Sequence, residues 1–193
     1  QTCALPISTR GRNSIARPSV GKKCVLVDFD GVILKNHVKF SCVKHNIEQL
    51  MFDYNIKESN EVLYEIYGHS FLGLKQHVYG FTLDDFNDYV YSSSFLNYIY
   101  SMAPNKEEKR NLEVIYPLLK SYDDTGYDVI LFSNAPASWV DANICRDEYM
   151  KLSFLIDSVI EVKEEQDLKP LKSCFDKTNE ILNTKGYDDI VFL

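Results

Sequence analysis

The sequence predicts an α/β protein built on a parallel sheet. Three observations point there. The run Val25, Leu26, Val27 is apolar without alternation, which is the pattern of a strand covered on both faces. A second run of the same kind, "DVILF" from Asp128 to Phe132, follows much later. Helical stretches separate the strand candidates, as the crossovers of a parallel sheet require.

The first strand is expected over Lys23 to Asp28. From Leu34 to about Ser101 the pattern turns helical and aromatic. "NIEQLMFDYN" and "LDDFNDYVYSSSFLNYIY" space their apolar residues three and four apart, the helical period. Asp84 and Asp85 stand where acids favour a helix start. Pro104 and Asn105 break the chain. An amphipathic helix follows near Lys106 to Tyr122, with Leu112, Ile115, Leu118 and Leu119 on one side. Pro117 should kink or split it, and Gly126 should stop it. After the strand at Asp128 to Phe132, a helix is expected over Ser138 to Tyr149, then a short strand near Ser158 to Val162. Ser173 is a candidate cap for a helix through Asn183, closed by Gly186. Ile190 to Leu193 begins the last strand, which makes Asp188 and Asp189 loop residues. Residues 34–101 are too long for a simple connection and read as an inserted helical cap. Residues 23–33 and 102–193 then make the core.

Composition narrows the function classes. The 193 residues carry a net charge of -7, which argues against a general nucleic-acid binder and favours a cytoplasmic protein. No apolar stretch is long enough to span a bilayer. The five cysteines form no CxxC and are odd in number. They read as reduced, mostly buried thiols rather than a disulfide frame or zinc site. His37, His45, His69 and His77 show no ligand spacing. His69 and His77 flank a turn expected at Gly73. "KEEKR", Lys106 to Arg110, reads as a solvated helix start, and Trp139 as core. At the start, "QTCALPI" reads as an assembly artefact, and the basic stretch after it as more of the same or a disordered leader. Residues 1–22 are therefore set apart from the fold.

The first strand delivers Asp28 and Asp30 to one spot, with Gly31 next. Two like charges this close repel, and burying an unpaired charge costs several kcal/mol or more. They belong at a solvent-reachable strand end, where sites form in α/β sheets, with something cationic near. Taken alone, the stretch also fits a polar strand end leading into a turn.

Four features stand in chain order: Asp28-Phe29-Asp30-Gly31 after one strand, Ser133-Asn134 after the next, Lys169-Pro170 in a loop, and a final strand from Ile190. This order resembles the haloacid dehalogenase-like phosphohydrolase superfamily, over Lys23 to Leu193. The resemblance implies a Rossmann-like parallel sheet with an inserted helical cap. The cap is most similar to that of the pyrimidine 5′-nucleotidase branch, through Tyr67-Gly68, Gly73-Leu74 and Asp85-Phe86, together with "FSNAP".

By that resemblance, Asp28 is the nucleophile that takes up a phosphoryl group. Asp30 is the general acid for the leaving oxygen and later the base for water. Ser133 and the Asn134 backbone hold phosphoryl oxygens, and Lys169 binds and stabilises the developing charge. An anionic nucleophile approaching an anionic ester calls for a divalent cation. Mg²⁺ suits oxygen donors and shared phosphate, with Asp28 giving a carboxylate oxygen and Asp30 its backbone carbonyl. The implied partner is a small phosphorylated metabolite, such as a nucleoside 5′-monophosphate. A sugar-phosphate phosphatase, a phosphomutase and a non-catalytic binding module share the same core. The family's last motif sets one or two acids after the fourth strand, at positions expected beyond Leu193. The chain therefore reads as a fragment that is weak or inactive without them.

Overall fold

The structure, a computed structural model, describes residues 21–193. The readings of Gln1 to Ile7 and of the basic stretch up to Val20 lie outside the described residues. Two compact units emerge. Residues 21–35, 104–161 and 178–193 form one, and residues 36–103 and 162–177 the other. In chain order the strands are β1 (Lys22–Val27), β2 (Tyr127–Phe132), β3 (Ile156–Ile160) and β4 (Tyr187–Phe192). The helices are α1 (His37–Asp53), α2 (Asn60–Tyr67), α3 (Ser70–Leu74), α4 (Leu83–Val90), α5 (Ser93–Ser101), α6 (Lys106–Asp124), α7 (Ala137–Ile144), α8 (Met150–Ser153) and α9 (Lys172–Thr184). None of them is long and apolar enough to cross a membrane, among the described residues.

The first unit is α/β. Its four strands are all parallel, in the order β3-β2-β1-β4, as in a Rossmann-like sheet. The chain winds outward from β1 to β2 to β3, then returns to the far side of β1 for β4. The winding therefore reverses at β1. Val25 lies opposite Val129 on one side and Val191 on the other. Cys24 to Val27 and Val129 to Leu131 are at most 1% exposed, so both faces of the central strands are covered. That is why their sequence is continuous rather than alternating. On one face Cys24, Leu26 and Ile130 pack with Leu182 and Tyr187. Burying an aliphatic side chain of this size contributes about 1.5–3 kcal/mol. Burial, with the Asp128 and Asp189 carboxylates behind it, pushes the Cys24 thiol up to about 11. Cys24, Cys42, Cys145 and Cys174 are all thiols.

Several elements differ from the sequence reading. α6 runs through Pro117 unsplit; Ile115 and Leu119 are buried on either side of it, while Leu118 is 40% exposed and does not join them. The helix expected over Ser138 to Tyr149 ends at Ile144, and a 3₁₀ turn spans Asp147–Tyr149. There the Tyr149 hydroxyl donates to Glu108 Oε1 at 3.0 Å. Glu108 is fully buried, so "KEEKR" is not simply a solvated face. β3 begins two residues earlier than expected. Asp188 and Asp189 lie inside β4 rather than before it. The Tyr127 hydroxyl donates to Asp189 at 2.7 Å, and Lys23 pairs with it at 3.3 Å. Ser173 lies within α9 and does not cap it; its hydroxyl donates to the Gln166 carbonyl.

The second unit is helical. Its starts are set by side-chain caps. Asn36 accepts from the Val38 and Lys39 amides, Ser59 from the Val62 amide, and Thr82 and Asp85 cap each other's backbone. Such a cap is worth about 0.5–2 kcal/mol. The core gathers Leu50, Leu63, Phe71, Phe81 and Phe86, and Leu168 joins them fully buried. Leu168 anchors residues 162–177 to these helices, whereas the sequence reading ran the core unbroken from 102 to 193. Gly73 lies inside α3, not at a turn.

Candidate functional site

β1 ends at Val27, and the chain leaves it through a tight loop. The Asp28 amide donates to the Leu193 carbonyl at 3.2 Å, so the strand pairing carries one residue further. The Phe29 carbonyl accepts from the Ile33 and Leu34 amides at 3.0 and 2.8 Å, and the Gly31 amide donates to Leu34 at 2.9 Å. Gly31 sits at φ +85°, a backbone state that costs other residues about 1 kcal/mol or more. Phe29 is fully buried, which plants the loop in the core. Asp28 and Asp30, two residues apart, leave the same strand end and are half-buried.

Two side chains whose contacts the sequence did not reveal hold this loop. Asn111, on α6, donates through Nδ2 to the Val32 and Ile33 carbonyls at 2.8 and 2.7 Å. Trp139, on α7, donates its indole N–H to Asp30 Oδ1 at 2.9 Å. Trp139 is 1% exposed, as its core reading expects, but it also carries this polar contact. Only the amphipathic phase of α6 hinted at Asn111, and no spacing signal reveals Trp139.

β2 ends alongside. The register pairs Val27 with Leu131, which sets Phe132 beside Asp28 and Ser133 one step on, in strands about 4.8 Å apart. Ser133 is 2% exposed, and its hydroxyl accepts from the Ala135 amide at 3.1 Å. That bond shapes the turn into α7 and still leaves the hydroxyl proton to be donated. Asn134 follows, half-buried. Asp28, Asp30, Ser133 and Asn134 thus share the carboxyl end of the two central strands. Lys169 belongs to the helical unit, half-buried beside the Leu168 anchor.

Among the described residues, no group of three or more His, Cys, Asp or Glu side chains is placed to hold a metal ion. The donor set at the β1 end is nevertheless of the right chemistry for Mg²⁺. It offers carboxylate and backbone oxygens only, and Mg²⁺ binds through one or two carboxylates while keeping waters and sharing substrate phosphate.

The residues that carry the likeness of the cap have structural work. Gly68 ends α2 at φ +74°, and a Cβ there would lie 2.6 Å from Pro170 Cγ. A Cβ on Gly73 would lie 2.7 Å from Leu63 Cβ, so α2 and α3 approach only because it is glycine. Asp85 caps α4, and Phe86 is buried in the core. These positions speak for a helical packing rather than for a ligand. A scan of protein-family models returns no match to the chain, and neither does a search of curated proteins.

Proposed function

We propose that the protein is a Mg²⁺-dependent phosphomonoesterase of the haloacid dehalogenase-like kind, with the sheet unit as its core and the helical unit as its cap. One observation carries this reading. Two carboxylates leave the end of a central parallel strand where the winding reverses, next to a Ser-Asn turn on the adjoining strand. Open α/β sheets hold their ligands at such reversals.

In this reading an Asp28 oxygen attacks phosphorus, and the bond from phosphorus to the leaving oxygen breaks. Asp30 gives that oxygen a proton. The aspartyl phosphate is then opened by water, whose proton returns to Asp30, and inorganic phosphate departs. Splitting the reaction this way replaces one hard displacement by two easier ones. The Ser133 hydroxyl and the Asn134 amide donate to the phosphoryl oxygens. Lys169 adds a fixed positive charge, a part that rests on the resemblance of Lys169-Pro170 alone. Mg²⁺, held by an Asp28 carboxylate oxygen and the Asp30 carbonyl, would offset the repulsion between nucleophile and ester, about 4 kcal/mol at 4 Å and an effective dielectric of 20. The substrate is a small phosphorylated metabolite, with nucleoside 5′-monophosphates the class the resemblance implies, and the setting is cytoplasmic.

The test is phosphate release by the full-length protein from a panel of nucleoside monophosphates and sugar phosphates, with Mg²⁺ and with chelator. Asp28→Asn should lower kcat by at least about 10³. Turnover that persists in Asp28→Asn, or that ignores the chelator, refutes the proposal.

A further inference from the structure

We infer that Trp139 is a positioning residue for Asp30: its indole N–H holds Oδ1 of the carboxylate and so fixes the direction in which Asp30 transfers its proton. The inference takes its catalytic meaning from the phosphomonoesterase reading above, because only there does Asp30 move a proton.

The geometry is specific. Indole is a donor and never an acceptor, and a buried indole N–H needs a partner. Trp139 finds it on a residue 109 positions away, at 2.9 Å and at 1% exposure. The ring is held by burial, and its backbone by α7. Its backbone amide donates to the Pro136 carbonyl at 2.9 Å, and Asn143 Nδ2 donates to its carbonyl at 2.9 Å. The indole therefore acts as a fixed post set by α7, and the Asp30 side chain adjusts to it. The segment that begins at Ser133 to hold phosphate thus also aims the acid.

Two consequences follow from the chemistry of the bond. A donor carried by α7 sets which way the carboxyl group faces, so Trp139 aims Asp30 at the leaving oxygen in the first half-reaction. A carboxylate with one oxygen pinned also loses a rotational freedom that would have to be given up in the transition state. Packing alone would need neither the N–H nor its direction.

Trp139 is the only tryptophan in the sequence, so the emission of the full chain reports on this indole. The first measurement compares that emission, at one pH where the far-UV circular dichroism is the same, in the wild-type chain and in Asp30→Ala, which removes the acceptor. The expected result is a shifted emission maximum in Asp30→Ala. Identical emission in both proteins overturns the inference.

The second measurement uses Trp139→Phe, which keeps an aromatic ring and removes the donor, in the full-length protein. It should lower kcat about tenfold for alkyl phosphates, whose leaving oxygen needs a proton, with KM nearly unchanged. p-Nitrophenyl phosphate, whose leaving group needs none, should be affected less than about twofold. An equal loss on both substrates overturns the inference, since damaged packing would produce it. Should Trp139→Phe not fold, the emission comparison decides alone. The two readings fail differently. Shifted emission without Asp28-dependent phosphate release refutes the phosphomonoesterase and with it the catalytic part of Trp139. Asp28-dependent release without that shift refutes the positioning role only.

Discussion

Acidification should remove about 3 kcal/mol of stability through a single side chain, His69. Its Nδ1 accepts the Phe71 amide at 3.2 Å and so caps α3. Its ring meets Phe86 edge-on with centroids 5.9 Å apart. Burial pushes the imidazole down from 6.5 to about 4, because a charge there would lose its water. A protonated Nδ1 would also lose the cap. Between the two values the unfolded chain binds the proton and the folded one does not, so stability rises with pH across that window. The contribution is fully present above about 6.5 and is lost as pH falls toward 4. At about 1.36 kcal/mol for each pKa unit, the change amounts to about 3 kcal/mol. The assay is urea denaturation at steps from pH 7 to pH 4, on the wild type and on His69→Asn. Asparagine retains an N-capping oxygen but cannot titrate. The stability difference between the two proteins should shrink or reverse by about 3 kcal/mol on acidification. Parallel pH curves would refute the argument.

Gly68→Ala should cost about 2 kcal/mol or more, since it forces an L side chain to φ +74° and into the Pro170 ring; denaturant titration measures it, and a change near zero counts against the packing described. Asn111→Ala removes two hydrogen bonds to the loop after Asp30, each worth about 0.5–1.5 kcal/mol. Amide exchange at Gly31, Ile33 and Leu34 should then accelerate while exchange in β1 stays slow, and uniform acceleration would instead mean global destabilisation.

The sequence exposed those parts of the fold that local chemistry decides. β1 and β2 were legible to within a residue because continuous apolar runs have one use in a parallel sheet. Helix starts near Asp84 and Lys106 were legible because first-turn acids and a Pro-Asn break act locally. The parts that long-range contacts decide were not. "YDD" before Ile190 looks like a loop until Tyr187 and Asp189 meet Asp128 and Tyr127 across the intervening β1, and Lys23 on β1 itself. The break after Ile144 goes with a tyrosine reaching a glutamate 41 positions back. Asp28, Asp30, Ser133 and Asn134, singled out by chain order, lie together at the carboxyl end of the two central strands. The contacts that brace them, from Asn111 and Trp139, were not legible, since an amide and an indole carry no motif and act only through where the helices place them.

The sheet has acids at both ends, and they are treated differently. At the amino end, Asp128 accepts from the Tyr187 hydroxyl at 2.6 Å and Asp189 from the Tyr127 hydroxyl at 2.7 Å. Each phenol comes from the adjoining part of the sheet unit. Burial first and then the Asp128 bond push the Tyr187 hydroxyl well above its usual 10, so it stays a donor at any physiological pH. Lys23 adds a positive charge beside Asp189. Such acids are knitted into the strands and stabilise them. At the carboxyl end the surroundings of Asp28 and Asp30 include a glycine turn, a serine-asparagine turn and an indole N–H. An indole orients a carboxylate and eases its burial, but it is neutral and cancels no charge. At the carboxyl end Asp28 and Asp30 stand at the winding reversal beside Ser133 and Asn134, with Trp139 donating to Asp30. In the proposed reading this end receives the phosphate ester, while the acids at the amino end serve the sheet.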